Sequence, residues 1–159
     1  MVERNAEMFR AVASAIEAEP GRYDQGRWGD VMDTHDDGNR TIHYFDSVAE
    51  AVAADEGIGT CGTYMCIAGH TAAIAGYRPK VHRYGDRVRL TYDEVHDPSD
   101  EDRTGPTRPC RDVAEELLGL SMGERRELFD GGMTFTNGDA VKSLRMLADG
   151  ASVWDVCEC

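Results

Sequence analysis

The chain has 159 residues and a formal net charge of −13 at pH 7, with 30 acidic residues against 17 lysines and arginines. A chain of this length predicts one domain, spanning 1–159, that can bury a core without disulfides or metal ions. So negative a surface repels nucleic-acid phosphates and anionic lipids, which excludes direct nucleic-acid binding and membrane-surface binding from the expected functions.

The N-terminal residues predict an amphipathic helix over 5–19. Apolar residues recur there every three or four positions, which places them on one face of a helix. Asn5 is of a type that caps helix N-termini, and Pro20 followed by glycine ends the pattern. We find no signal-peptide pattern, in which a charged segment precedes an apolar one, and no long apolar run. We therefore expect a cytoplasmic protein without a membrane anchor.

A loop over 22–33 follows, in which Tyr23 and Trp28 stand among glycines and aspartates. Aromatic side chains in such a loop either cover the edge of the core or form a platform for a ligand. The C-terminal tail, 151–159, carries a third aromatic residue, Trp154, which either docks the tail or adds to such a surface. We take these three aromatic residues as candidate binding residues.

The stretch 57–77 contains no formally charged residue, although 30% of the chain is charged. We predict a helix at about 63–76, preceded by a turn of glycine, cysteine and threonine. A helix that is uncharged on every side is usually buried on every side. We therefore expect this helix to lie at the centre of the fold.

After Pro79 the pattern changes to the alternation of a β-strand. Two alternating runs flank Gly85-Asp86, which predicts a β-hairpin at about 80–95 with a type II′ turn. One of its faces is basic, and we expect it to be a solvated face that pairs with acidic loops of the same molecule. An acidic segment at about 96–109, rich in aspartate, proline and glycine, predicts a mobile loop.

Capping patterns predict further helices. Three helix starts carry a capping box, and Gly119 stands where a left-handed residue ends a helix. The boxes are Ser47 with Glu50, Ser121 with Glu124, and Thr136 with Asp139. The predicted fold class is therefore α+β, mainly α: a small helical domain around a buried central helix (about 63–76) with one β-hairpin (about 80–95).

The chain has five cysteines, an odd number that does not suit a disulfide framework without a secretory leader. Cys66 and His70 lie one helical turn apart. With Cys61 and one further thiol, from Cys157, Cys159 or Cys110, they could surround a zinc ion tetrahedrally. The spacing lacks a C-x-x-C pair, so we expect buried thiols and no cofactor, with zinc as the alternative. A nucleophilic Cys61 with His70 as its base is a further alternative.

Three segments resemble an uncharacterised family of small proteins from actinobacteria and their phages, which carries a CGTxxCIAG motif. They begin at Tyr23 (YDQGRWG), Cys61 (CGTYMCIAGH) and Ala114 (AEELLGL). That family has no assigned activity, so the resemblance implies no catalytic residue. It implies a phage origin, and small phage accessory proteins often act by binding a host protein.

We therefore expect a non-enzymatic accessory protein that binds another protein, directed at a host factor. The sequence contains no Walker, G-x-G-x-x-G, H-E-x-x-H or G-x-S-x-G motif, so no familiar catalytic set supports an enzyme. One alternative is an acidic DNA mimic that inhibits a nucleic-acid enzyme, which needs carboxylates spaced like phosphates. The other is a zinc- or thiol-dependent protein that uses Cys61, Cys66 and His70.

Overall fold

The computed structural model describes residues 3–25, 27, 29–57, 63–130 and 136–157. The helices in these ranges are α1 (Ala6–Ala18), α2 (Val48–Gly57), α3 (Ile67–Ile74), α4 (Cys110–Leu118), α5 (Met122–Asp130), α6 (Asn137–Ala148) and α7 (Val153–Cys157). The strands are β1 (Asp30–Thr34), β2 (Arg40–Ile42), β3 (Thr63–Tyr64), β4 (Arg78–Tyr84), β5 (Arg87–His96) and β6 (Thr107–Pro109). No helix within these ranges is both long and apolar enough to cross a membrane.

The strands form one six-stranded sheet with the order β2-β1-β5-β4, in which β3 also pairs with β1 and β6 with β5. Every pairing is antiparallel. Strands β4 and β5 are the predicted hairpin, and Gly85 has a φ of 62° in the turn between them, as a type II′ turn requires at its first central residue. The pairing of Asp30 with Thr91 joins this hairpin to β1.

The prediction of a mainly α fold with one hairpin is wrong, because the described chain is α+β with a six-stranded antiparallel sheet. The strands that we missed, β1, β3 and β6, have two to five residues each. So short a segment shows too little alternation to be read locally. Such a strand is stable only through the partner strand beside it, which lies elsewhere in the sequence.

The predicted central helix at about 63–76 begins later than expected. Thr63 and Tyr64 form β3, so α3 starts at Ile67 with Cys66 in the N-cap position. The prediction of burial is confirmed for the first six residues of α3, and the last one, Ile74, is 41% exposed. Threonine and tyrosine favour strands, and pairing with β1 decides their conformation here.

The apolar residues form two clusters. The larger one joins α1, α3, α4 and α6 to the C-terminal end of β5, away from the hairpin turn, where Tyr92 and Val95 belong to it. The smaller one lies between α2 and the N-terminal end of β5, next to the hairpin turn, where Val88 and Leu90 pack with Ala51. An irregularity in the β4–β5 pairing at Pro79/Lys80 separates the two ends. Helix α2 therefore covers one face of the sheet beside the hairpin turn.

The predicted caps are confirmed where their hydrogen bonds are seen. The Asn5 side chain accepts from the Met8 N–H at 3.1 Å, and Gly119 adopts the left-handed conformation with φ 69°. The three predicted box residues Ser47, Ser121 and Thr136 each accept from the backbone N–H three residues later, at 3.1, 3.3 and 3.1 Å. These local contacts set the ends of α1, α2, α4, α5 and α6.

The acidic segment at about 96–109 contains β6 and a turn built around Asp100. This carboxylate accepts from the Gly105 N–H at 2.9 Å and lies 3.0 Å from Nδ1 of His96. Arg103 reaches from the turn to Asp55 of α2, and both side chains of this ion pair are buried. The segment is thereby attached to the body of the fold, and its predicted mobility stays a prediction.

Candidate functional site

Two exposed tyrosines meet beside the turn of the hairpin. Tyr84 is 51% exposed and Tyr44 is 37% exposed. Their ring centres lie 6.1 Å apart with the ring planes at 88°, an edge-to-face arrangement. Large apolar side chains exposed to this degree are few in the described part of the chain, and the others, Ile74 and Met122, lie on helices. This contact is therefore the main exposed aromatic feature of the described surface.

The Tyr84 ring is held from several sides. The His82 ring stacks near it, with ring centres 6.4 Å apart and planes at 28°. The guanidinium carbon of Arg89 lies 5.9 Å from the centre of the Tyr84 ring, within range of a cation–π interaction. Cross-strand pairing explains the grouping, because His82 pairs with Arg89 and Tyr84 pairs with Arg87, and paired residues share a face of the sheet.

Arg89 is itself held by a buried carboxylate. Its Nη2 donates to Oδ1 of Asp30 at 3.1 Å, and Arg27 donates to the other oxygen, Oδ2, at 3.2 Å. Asp30 is only 7% exposed. An ion pair between β1 and β5 thus holds the guanidinium that lies over the Tyr84 ring.

The predicted basic face of the hairpin is only partly neutralised. Lys80 pairs with Glu94 at 2.7 Å, and His82 lies 3.2 Å from Asp93, so the acidic partners come from the hairpin itself. Arg87 is exposed, and no hydrogen bond or ion pair holds it among the residues that the structure describes. We call Tyr44, Tyr84 and Arg87 the hairpin patch.

Sequence reasoning missed the two tyrosines of this patch. The signal for Tyr84 was present, because an aromatic residue directly before Gly85-Asp86 must stand at the tip of the hairpin. Tyr44 carried no comparable signal, because only the tertiary structure brings it to the hairpin. Arg87 was predicted as part of the basic face, although its lack of an internal partner could not be read from its spacing.

Of the predicted site residues, the structure brings Tyr23, Cys66 and His70 together. The ring centres of Tyr23 and His70 lie 6.3 Å apart. Nδ1 of His70 lies 3.0 Å from the Cys66 carbonyl oxygen. Since a carbonyl only accepts, Nδ1 carries the proton, and in the neutral ring Nε2 keeps its lone pair.

His70 is buried, at 6% exposure, and burial lowers its pKa because the charged imidazolium loses its hydration. The nearby guanidinium of Arg22 acts in the same direction, whereas the carbonyl groups of Cys66 and Met65 act against it. The imidazole is therefore neutral at pH 7 and offers an acceptor nitrogen.

The thiols of Cys66 and Cys110 are unreactive. Cys66 is a free, buried cysteine, and burial raises its pKa to about 11, although the N–H groups of Gly69 and Ala68 act in the opposite direction. Burial also raises the pKa of Cys110 well above its ordinary value. Both groups are protonated at neutral pH, so neither is a thiolate nucleophile.

The zinc hypothesis stays a prediction. Trp28, Cys61 and Cys159, and the side chains of Trp154 and Cys157, lie outside the described residues. Within those residues, no group of three or more histidine, cysteine, aspartate or glutamate side chains is arranged to hold a metal ion.

His70 also lines an open cavity of about 340 Å³ between α1 and α3. Its lining includes the apolar residues Ala15, Met65 and Ala73. It also includes the charged residues Glu19 and Arg22. A larger groove of about 620 Å³ runs between α1 and α6.

Comparison of the chain with protein-family models, with curated proteins and with solved structures finds no match. The resemblance to an actinobacterial and phage family therefore stays a prediction, and the proposals below depend on the geometry of the chain.

Proposed function

We propose that this protein is a non-enzymatic accessory protein that binds another protein through the hairpin patch. The observation that carries this proposal is the exposed ring of Tyr84, held by its neighbours, beside Arg87, for which the described residues provide no ion-pair or hydrogen-bond partner. Tyrosine and arginine are among the residues that contribute most binding energy at protein interfaces. A ring that is already held by its neighbours loses little conformational freedom when a partner binds it.

The partner is expected to present a carboxylate to Arg87 and an apolar or aromatic surface to the tyrosine pair. Binding should weaken as salt concentration rises, because exposed charge pairs are screened. On the resemblance alone, we propose that the partner is a cytoplasmic host protein of an actinobacterium.

The charge distribution favours this proposal over an acidic DNA mimic. A mimic needs a row of unpaired carboxylates, but many surface carboxylates here are paired with arginine. Examples are Glu17 with Arg145, Glu116 with Arg108, and Asp112 with Arg125. Such pairs neutralise the charge that a DNA-binding enzyme would read as phosphate.

Site-specific photo-crosslinking tests the proposal. A p-benzoylphenylalanine replaces Asp86, an exposed residue of the hairpin turn, and in a second protein it replaces Met122, which is 74% exposed on α5. Each protein is irradiated in an actinobacterial lysate. We expect one defined crosslinked product from position 86 that does not form from position 122.

Substitutions in the position-86 protein then locate the contact. Tyr84→Ala and Arg87→Ala should each abolish the product. Arg83→Ala is the matched control, because Arg83 pairs with Val88 on the opposite face of the same hairpin. Equal loss with Arg83→Ala and Arg87→Ala, the same product from position 122, or no product at all would each overturn the proposal.

A further inference from the structure

We propose that the cavity between α1 and α3 binds a small neutral molecule that combines an apolar body with one hydroxyl donor, of which phenol is the simplest example. This inference does not depend on the hairpin patch. It rests on the cavity, on the acceptor nitrogen of His70, a residue that lines it, and on the balance of charge among the lining residues.

The acceptor that we assign to the ligand is Nε2 of His70, a residue that lines the cavity. Because Nδ1 is occupied by the Cys66 carbonyl at 3.0 Å, the ring is held in the tautomer whose Nε2 accepts. A hydroxyl group satisfies such an acceptor, whereas a carbonyl or ether oxygen does not. The requirement for a donor therefore comes from the backbone hydrogen bond on the far side of the ring.

The charged lining residues favour a neutral ligand. Nη1 of Arg22 lies 2.5 Å from Oε2 of Glu19, so the two charged groups that line the cavity form an ion pair with no net charge. An anionic or cationic ligand would have to compete with that pair. A neutral molecule leaves it intact.

The walls suit a small ring. The small side chains of Ala15 and Ala73 line the cavity together with Met65, which is 5% exposed. A methionine thioether makes favourable contacts with aromatic rings. The volume of about 340 Å³ is at the small end of ligand-binding cavities in proteins.

Phenol and toluene are the probes, because they differ chiefly in the hydroxyl group. Each is titrated into ¹⁵N-labelled full-length protein, and the amide signals and the Nε2 signal of His70 are followed by NMR. We expect saturable phenol shifts at Ala15, Met65 and Ala73 with a dissociation constant on the order of 1 mM. Toluene should bind the same residues about 3- to 10-fold more weakly, because it lacks one hydrogen bond.

Two variants separate the contribution of the cavity's shape from that of the acceptor nitrogen of His70. His70→Phe should remove the preference for phenol while toluene still binds, which also shows that the cavity persists. Ala15→Leu should fill the cavity and weaken both probes, whereas the matched control Ala49→Leu, at an exposed position of α2, should change neither.

Three results would overturn the proposal. The first is the absence of saturable shifts at the cavity residues. The second is equal affinity for phenol and toluene in the unmodified protein. The third is a set of shifts confined to Val141 and Met146, which line the larger groove between α1 and α6.

Discussion

Asp30 and Arg89 form an ion pair between neighbouring strands, with Oδ1 and Nη2 3.1 Å apart. The same guanidinium lies over the ring of Tyr84, 5.9 Å from its centre. A largely buried carboxylate on β1 thus holds the guanidinium that lies over an exposed aromatic ring of the hairpin. The proposed binding surface is therefore coupled to the pairing of β1 with β5.

The replacement Asp30→Asn should destabilise the protein and loosen the hairpin patch. It removes the negative charge between Arg27 and Arg89, whose side chains are 34% and 21% exposed. Because these partners are only partly buried, we expect a loss of about 2 kcal/mol, below the range for a fully buried pair. Urea unfolding followed by circular dichroism measures this loss.

Asp33→Asn is the matched control on the same strand. Asp33 is 52% exposed and its partner is His43, at 2.8 Å. An exposed pair of this kind contributes little, so we expect a change of less than about 0.5 kcal/mol. Equal losses for the two variants would contradict the role that we assign to Asp30.

Arg103 combines a buried ion pair with a left-handed backbone, at φ 55°. Its side chain is 5% exposed and that of Asp55 is 8% exposed. Arg103→Ala removes the guanidinium from a buried carboxylate and should cost about 3 kcal/mol. Arg103→Gly removes the same group but suits the backbone, so its loss should be smaller by about 1 kcal/mol.

Chemical unfolding of both variants measures that difference, with Arg108→Ala as a control. Arg108 pairs with Glu116 at the surface, where the side chains are 47% and 69% exposed, and its removal should cost less than about 0.5 kcal/mol. If the glycine variant is no more stable than the alanine variant, the left-handed conformation stores no strain.

Gly119 should tolerate no side chain. Its φ of 69° is left-handed, and a Cβ built there would lie 2.1 Å from the backbone oxygen of Glu3. Because backbone must move to relieve this contact, Gly119→Ala should cost about 3 kcal/mol or more. Gly123→Ala is the control within α5, where an added Cβ meets nothing within 4 Å, and should stabilise by about 0.5 kcal/mol. Thermal unfolding of both variants tests the pair, and similar melting temperatures would refute the close approach.

Burial of His70 should make stability depend on pH near neutrality. Its pKa is lowered in the folded protein, so the unfolded chain binds this proton more readily. Stability is therefore complete above the ordinary value of about 6.5 and falls as the pH drops toward the folded value. The slope in this window is at most about 1.4 kcal/mol per pH unit for one proton.

The measurement is urea unfolding at pH 7.5, 6.5 and 5.5. Carboxylates with lowered pKa values, such as Glu94 and Glu124, lose their contributions only at more acidic pH. His70→Gln should flatten the pH dependence in this window, and His35→Gln, at an exposed position, is the control for replacing a histidine. Parallel curves for all three proteins would show that His70 does not cause the effect.

The sequence by itself determined the features that depend on near neighbours. The caps at Asn5 and Thr136 and the left-handed end at Gly119 involve contacts within a few residues, so a local pattern is sufficient. The hairpin around Gly85 was found for the same reason. The uncharged stretch identified buried residues, because charge is rarely buried without a partner.

Only the tertiary structure decided the sheet and the candidate site. Asp30 pairs with Thr91 across a long separation in sequence, and Tyr44 meets Tyr84 through that assembly. Short strands gain their stability from partners that a local pattern does not identify. Arg89 is paired, whereas Arg87 has no partner within the part of the chain that the structure describes. This difference depends on which distant carboxylate the fold brings beside each arginine.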